Sequence, residues 1–159
     1  MRRSDREIKE PDKIIEVMKK CDVCRLALND EGYPYILPLN FGFRVEDGKV
    51  VLYFHGATEG TKYQLIDRDN RASFEMDCSH RLVMKEDSGS CTMEYESIIG
   101  RGLVEIVTDY DKKKEALDIL MSQYHQEDFR YNEAVIARTT IMRLTVQNMT
   151  GKSRMVKNN

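Results

Sequence analysis

The sequence predicts a small, mainly β barrel with short helices. Six or so short apolar or alternating runs recur between turn signals. The stretches with helical periodicity between them are brief. No internal repeat or linker interrupts the 159 residues, so one domain over 1–159 accounts for the chain.

The elements follow in order. Pro11 suits the first turn of a helix running to about Lys20, with Ile14, Ile15, Val17 and Met18 on its apolar side. Val23–Leu28 reads as a strand, and Asn29-Asp30-Glu31-Gly32 as a turn. Tyr33–Arg44 reads as one longer strand. Pro34 and Pro38 each remove a ladder donor, so this strand pairs irregularly or borders a ligand. Glu46-Asp47-Gly48 closes a hairpin into Lys49–Phe54. A helix from the following glycine turn reaches about Asp69, and Arg71–Met76 is the next strand. Asp77–Cys91 is polar, contains Ser88-Gly89-Ser90, and reads as a long loop. Glu94–Val107 is β-branched around Gly100 and Gly102, which suggests a bend or a close approach to a ligand or second chain. Asp109 or Asp111 caps a helix to about Tyr124, with Ala116, Leu117, Leu120 and Met121 on one face. Thr139–Gln147 alternates as a final half-buried strand.

Composition narrows the function classes. Hydrophobic residues at 41% and charged residues at 33% describe a globular chain, not a disordered one. A net charge of −2 argues against a nucleic-acid binder that works by phosphate neutralisation. No apolar run approaches the length of a membrane span and nothing reads as a signal peptide, so the expected location is the cytoplasm. The four cysteines then read as reduced thiols.

Val50–Lys62, VVLYFHGATEGTK, carries the most chemistry. An apolar strand ends at His55, small and hydroxylated residues follow, and Lys62 opens a helix. Free N–H groups at a helix start, hydroxyls and a lysine form an anion site that small residues let a phosphate approach. His55 stands beside whatever that phosphate anchors. Its imidazole either relays a proton to a cofactor or substrate, or simply satisfies a carbonyl at a strand end. Lys62 alone would be a solvated helix lysine; Thr58 and two glycines ahead of it favour phosphate contact. Tyr53 and Phe54 could both be core, but alternation sends one inward and the other toward a cleft or partner. Cys21-x-x-Cys24 lacks a second close pair, so ordinary thiols are preferred to a metal site; no metal is expected. His80 and His125 read as solvated, and Lys112-Lys113-Lys114 as an exposed helix face.

These segments together resemble the flavin-binding split-barrel family of pyridoxamine 5′-phosphate oxidase-like proteins, and within it the nitroimidazole-resistance branch. The resemblance covers about Met1 to Lys152. It rests on RRSDREI near the start, CRLAL at Cys24–Leu28, YPYILPLNFGF at Tyr33–Phe43, LYFHGATEGTK at Leu52–Lys62, YESIIGRG at Tyr95–Gly102 and TGK at Thr150–Lys152. Singly most are weak; LPLNFGF followed by YFHxAxxGxK is a specific pair. The resemblance implies a six-stranded split barrel that forms a homodimer, with flavin in clefts between the subunits. FMN is the usual cofactor, and FAD occurs in some relatives. By resemblance, Leu39, Asn40 and Phe41 lie along the flavin ring edge. Tyr53, Phe54 and His55 line the opposite part of the cleft, and Thr58 and Lys62 hold the phosphate. Tyr95, Ser97, Ile99 and Gly100 come from the partner subunit. The chain lacks the several arginines with which the oxidase branch grips pyridoxamine phosphate, which argues against that substrate.

Two functions follow from the same pocket. One is a flavin-dependent reductase of small electron-poor molecules of the nitroimidazole type, with His55 as the proton donor. The other is a flavin-binding, flavin-storing or sensor protein without turnover. Haem binding is a third reading, because related split barrels use histidine for it.

Overall fold

The computed structural model describes residues 3–125 and 129–156. Eight antiparallel strands form the framework. They are β1 (Glu7–Ile8), β2 (Cys24–Asp30), β3 (Tyr33–Leu39), β4 (Phe41–Glu46), β5 (Lys49–Gly56), β6 (Arg71–Lys85), β7 (Ser90–Val107) and β8 (Thr140–Arg154). The helices are α1 (Pro11–Lys20), α2 (Thr61–Arg68), α3 (Tyr110–Ser122) and α4 (Glu133–Ala137). The sheet runs β3-β2-β6-β7-β8-β5-β4, with β1 added against β8.

That order explains the barrel. Its two outermost strands, β3 and β4, are consecutive in the chain, with only Asn40 between them. The sheet must therefore roll until its edges meet at Asn40. The two edges do not pair with each other among the described residues, and the barrel stays split.

The expected single strand Tyr33–Arg44 is thus two strands. Tyr33–Leu39 pairs with β2, and Phe41–Glu46 pairs with β5. Pro34 and Pro38 are tolerated because β3 is an edge. A second correction concerns Asp77–Cys91. It is no loop: β6 and β7 continue as a long hairpin, in register from Arg81↔Glu94 to Lys85↔Ser90, after a bulge between Cys78 and Arg81. The count is eight strands where six were expected, because the two-residue β1 is added and Tyr33–Glu46 divides. The last strand also runs beyond Gln147, to Arg154.

The main core fills the barrel. Leu26, Leu52, Phe54, Phe74, Ile98 and Leu144 meet Ile14, Val17 and Met18 of α1 and Leu65 and Ile66 of α2. A second cluster lies outside, where Val51, Tyr53 and Ile141 pack under Ala116, Leu117 and Ile136 of α3 and α4. β5 is therefore covered on both faces, which is why VVLYF reads as an unbroken apolar run. Tyr53 and Phe54 accordingly point to opposite faces as alternation requires, yet both are buried. Gly100 and Gly102 allow close approach within the chain itself. A Cβ on Gly100 would meet the Phe74 ring at 2.4 Å, and one on Gly102 the Thr145 carbonyl oxygen at 2.1 Å. Asp109 caps α3, accepting from the Lys112 N–H at 2.9 Å.

The outer cluster is bordered by ion pairs. Arg143 reaches Glu46 and Glu105 at 2.7 Å each, Arg44 reaches Glu46 at 2.6 Å, and the Tyr53 hydroxyl donates to Glu46. Partial burial opposes the Glu46 charge, but Tyr53, Arg44 and Arg143 outweigh it and hold the carboxyl down at about 2. A depressed carboxyl stabilises the fold above its ordinary pKa and loses that contribution as pH falls through the folded value. Glu46 is expected to supply about 2–3 kcal/mol near neutrality, disappearing between about pH 5 and pH 2. Urea midpoints measured across that range should drop less steeply in Glu46→Gln than in the parent.

Candidate functional site

One end of the β4–β5 pair gathers most of the expected site. Phe41 is in register with Phe54, so one further step sets Asn40 level with His55. His55 is exposed, lies across from Ile141, and follows Val51 and Tyr53 on the α3 side of β5. Phe41 and Phe54 are fully buried in the barrel, and Leu39 is half-buried against the same core. Phe41, Phe54 and Tyr53 therefore present backbone or ring edge, and not an open face, to anything bound at this end.

Beyond His55 the chain turns through Gly56–Gly60 into α2. Gly60 stands at φ +147°, a conformation that L side chains rarely adopt, and no side chain caps the helix. The Lys62 ammonium folds back over this turn. It lies 4.4 Å from the Tyr63 ring centroid. A Cβ added at Gly60 would lie 3.2 Å from it, and one at Gly56 3.3 Å. The Tyr63 hydroxyl ties the turn down by donating to the Ala57 carbonyl. Thr58 is exposed at the turn. Among the described residues Lys62 forms no ion pair. An uncapped helix start with an unpaired ammonium above it is the electrostatic form of a phosphate cradle.

Two side chains that sequence reasoning missed hold this end together. The Tyr124 hydroxyl accepts from the Phe41 N–H at 2.9 Å and donates to the Asp22 carbonyl at 2.8 Å. Gln123 donates to the Cys21 carbonyl at 2.8 Å and the Met18 carbonyl at 3.1 Å, closing the end of α1. Asn40 donates to the same Asp22 carbonyl at 3.1 Å. The β3–β4 junction is thus fixed from the end of α3.

Tyr95, Ser97, Ile99 and Gly100 lie elsewhere. Val107 is the β7 residue level with Ile141 and so with His55. Ile99 precedes Val107 by eight positions, about 26 Å along a strand. The same chain does not bring these four residues to His55. Tyr95 lies beside two cations of the terminal segments instead. β1 pairs with β8 through Glu7↔Lys152 and Ile8↔Gly151, joining the two ends of the sequence. Arg6 donates to the Tyr95 hydroxyl at 3.4 Å, and the Lys152 ammonium lies 5.7 Å from the Tyr95 ring centroid. Burial works against a Tyr95 phenolate, but Arg6 and Lys152 outweigh it and hold its pKa below the ordinary tyrosine value.

His80 sits on the β6 hairpin, 2.7 Å from Asp77, and His125 is exposed after α3. Lys112 and Lys114 are exposed, and Lys113 is half-buried. Among the described residues no cluster of histidine, cysteine or acidic side chains has the arrangement of a metal site. No described helix is long and apolar enough to cross a membrane.

Among curated sequences, none matches. Solved structures do match. A candidate 5-nitroimidazole antibiotic resistance protein from Bacteroides thetaiotaomicron VPI-5482 is 32% identical, with a TM-score of 0.81 over 92% of this chain and 86% of that one. The FAD and heme binding protein from Mycobacterium smegmatis superposes at 0.78 with 20% identity, over 97% of this chain and 76% of that one. The flavocytochrome Anf3 from Azotobacter vinelandii superposes at 0.79 with 14% identity, over 100% and 75%. At such identities the last two show the fold alone. Residues 10–153 match the pyridoxamine 5′-phosphate oxidase family. The chain belongs to that family, and to its nitroimidazole-resistance branch.

Proposed function

We propose that the chain is a flavin-dependent reductase of small electron-poor molecules such as nitroimidazoles. The observation that carries this is the convergence of Asn40, His55 and the Lys62-covered glycine turn at one end of the barrel. The resistance protein from B. thetaiotaomicron supports the substrate class. FMN is the proposed cofactor: one phosphate matches a cradle of one helix start and one ammonium. FAD, which a structural neighbour binds by its name, would place a second phosphate near the same turn.

Bound flavin would supply the electrons. Lys62, Thr58 and the amides that open α2 would hold its phosphate. Leu39, Asn40 and Phe41 would edge the ring, largely through backbone groups. His55 is exposed at the strand end and would hold a proton for the group being reduced. A purified sample that shows flavin absorbance, and whose reduced flavin reoxidises anaerobically on adding a nitroimidazole, supports the reductase. Flavin absorbance without that reoxidation supports a binding or storage protein. A Soret band supports haem.

The phosphate assignment has its own test. Lys62→Ala removes a charge-assisted contact worth about 1.5–3 kcal/mol. FMN affinity should fall by about one to two decades, measured by flavin fluorescence quenching. An unchanged Kd places the phosphate elsewhere.

The active form is proposed to be a homodimer with flavin at the subunit interface. Tyr95, Ser97, Ile99 and Gly100 would then come to His55 from the partner. Ile36, Ile99 and Leu103 support this: they are 61%, 59% and 38% exposed on one outward sheet face. Sedimentation at micromolar concentration should give twice the chain mass of 18.6 kDa. A monomer that still retains flavin would overturn the assembly.

A further inference from the structure

We propose that Cys21 and Cys78 form a reversible disulfide, making this pair an oxidation site on the face of the protein where α1 meets β6. The CxxC spacing in the sequence points to the wrong partner. Cys24 opens β2 and is fully buried in the barrel core. Cys21 instead closes α1, and its thiol turns toward β6. Both sulfurs converge on one acceptor: Cys21 Sγ is 3.3 Å and Cys78 Sγ 4.0 Å from the Val17 carbonyl oxygen. That shared acceptor puts the two thiols side by side under the last turn of α1.

The two differ in a way that suits sequential oxidation. Cys21 is 2% exposed, whereas Cys78 is half-buried. Cys78 lies at the β6 bulge, just before Ser79, whose φ of +60° accompanies the shift in pairing register. The Ser79 hydroxyl lies 3.6 Å from Cys78 Sγ. Burial first, and the neighbouring Cys78 thiol second, push the Cys21 thiol well above the ordinary range. Cys78 is therefore the attacking thiol and Cys21 the resolving one.

The oxidant is a hydroperoxide. Cys78 sulfur, as thiolate, attacks the terminal peroxide oxygen; an S–O bond forms, the O–O bond breaks, and an alcohol or water leaves. Cys21 sulfur then attacks Cys78 sulfur. The S–S bond forms, the S–O bond breaks, and hydroxide departs as water with the Cys21 proton. Two thiols and one hydroperoxide give one disulfide, one alcohol or water, and one further water. A small-molecule thiol reverses the step by exchange. Because Asp22 follows Cys21 and accepts from Asn40 and Tyr124, the bond would also brace the backbone beneath the β3–β4 junction.

The test uses the purified chain, one equivalent of hydrogen peroxide, thiol blocking and non-reducing peptide mass spectrometry. The expected product is an intramolecular cross-link between the peptides containing Cys21 and Cys78, lighter by two hydrogens and lost on adding dithiothreitol. Cys21→Ala should leave Cys78 as a sulfenic acid that reacts with dimedone. Cys91→Ala should change nothing, since Cys91 is exposed on the far part of the hairpin. A cross-link to Cys24 or Cys91, or Cys78 oxidised to sulfonic acid with Cys21 still free, overturns the proposal. The wild-type spectrum alone decides it, whether or not the variants fold.

Discussion

Gly42→Ala is expected to destabilise the fold by about 3 kcal/mol, an overpacking effect at a site that cannot yield by rotating a side chain. The added Cβ would stand 2.4 Å from both the Ile119 carbonyl oxygen and the Leu120 Cα of α3. These are backbone atoms, so the helix itself must move out by about 1 Å to restore contact distance. That movement opens the packing of Ala116 and Leu117 over Val51, Tyr53 and Ile141. It also draws Tyr124 off the Phe41 N–H and Gln123 off the end of α1. Structure and site should therefore fail together. The urea midpoint should fall by about 1–2 M for a small domain of this kind, and any flavin affinity should fall with it. Gly48→Ala is the comparison. Its φ of +76° strains an alanine, but nothing lies within 4 Å of the new Cβ, so about 1 kcal/mol is expected. If both variants unfold at the same midpoint, α3 does not pack on β4 as described.

What the sequence made legible follows from which surfaces are covered. β5 was plain because both of its faces are buried and its apolar run has no gap. α1 was plain to its ends because Pro11 starts it and Ile14, Val17 and Met18 mark its buried side. The hairpin at Arg81–Glu94 was not, because its apolar residues mark the wrong face: Leu82, Met84 and Met93 share one exposed face, while the buried Glu94, paired with Arg81, lies on the other. The break at Asn40 was hidden for a different reason. β propensity continues through PYILPLNFGF, and only the change of pairing partner from β2 to β5 divides it.

The site divides along the same line. The Lys62 turn is local, five residues from Gly56 to Gly60 and the helix that follows, so residue type and order were enough to single it out. Gln123 and Tyr124 act on backbone 102 positions away and left no mark in the sequence. Tyr95 and its neighbours were reached only through family resemblance. The fold explains why: in one chain they sit on the far part of β7, beside Arg6 and Lys152, where nothing local links them to His55.

His55→Ala is expected to cost about two to four decades in the rate of nitroimidazole reduction, the range for loss of a general acid. It should leave flavin bound. The proposed phosphate site is the turn after His55, and that turn is shaped by the Gly60 backbone, the Tyr63 hydroxyl and Lys62 rather than by the imidazole. Nor is His55 part of either core cluster, so its removal opens no cavity. The variant should be loaded with FMN, its occupancy read by absorbance, then reduced anaerobically and mixed with a nitroimidazole. Slow reoxidation at full occupancy, partly restored by added imidazole, identifies the proton donor, because an exposed strand end admits a small base in place of the lost ring. Wild-type rates would make water or another residue the donor. Loss of flavin would make His55 a positioning residue for the cofactor.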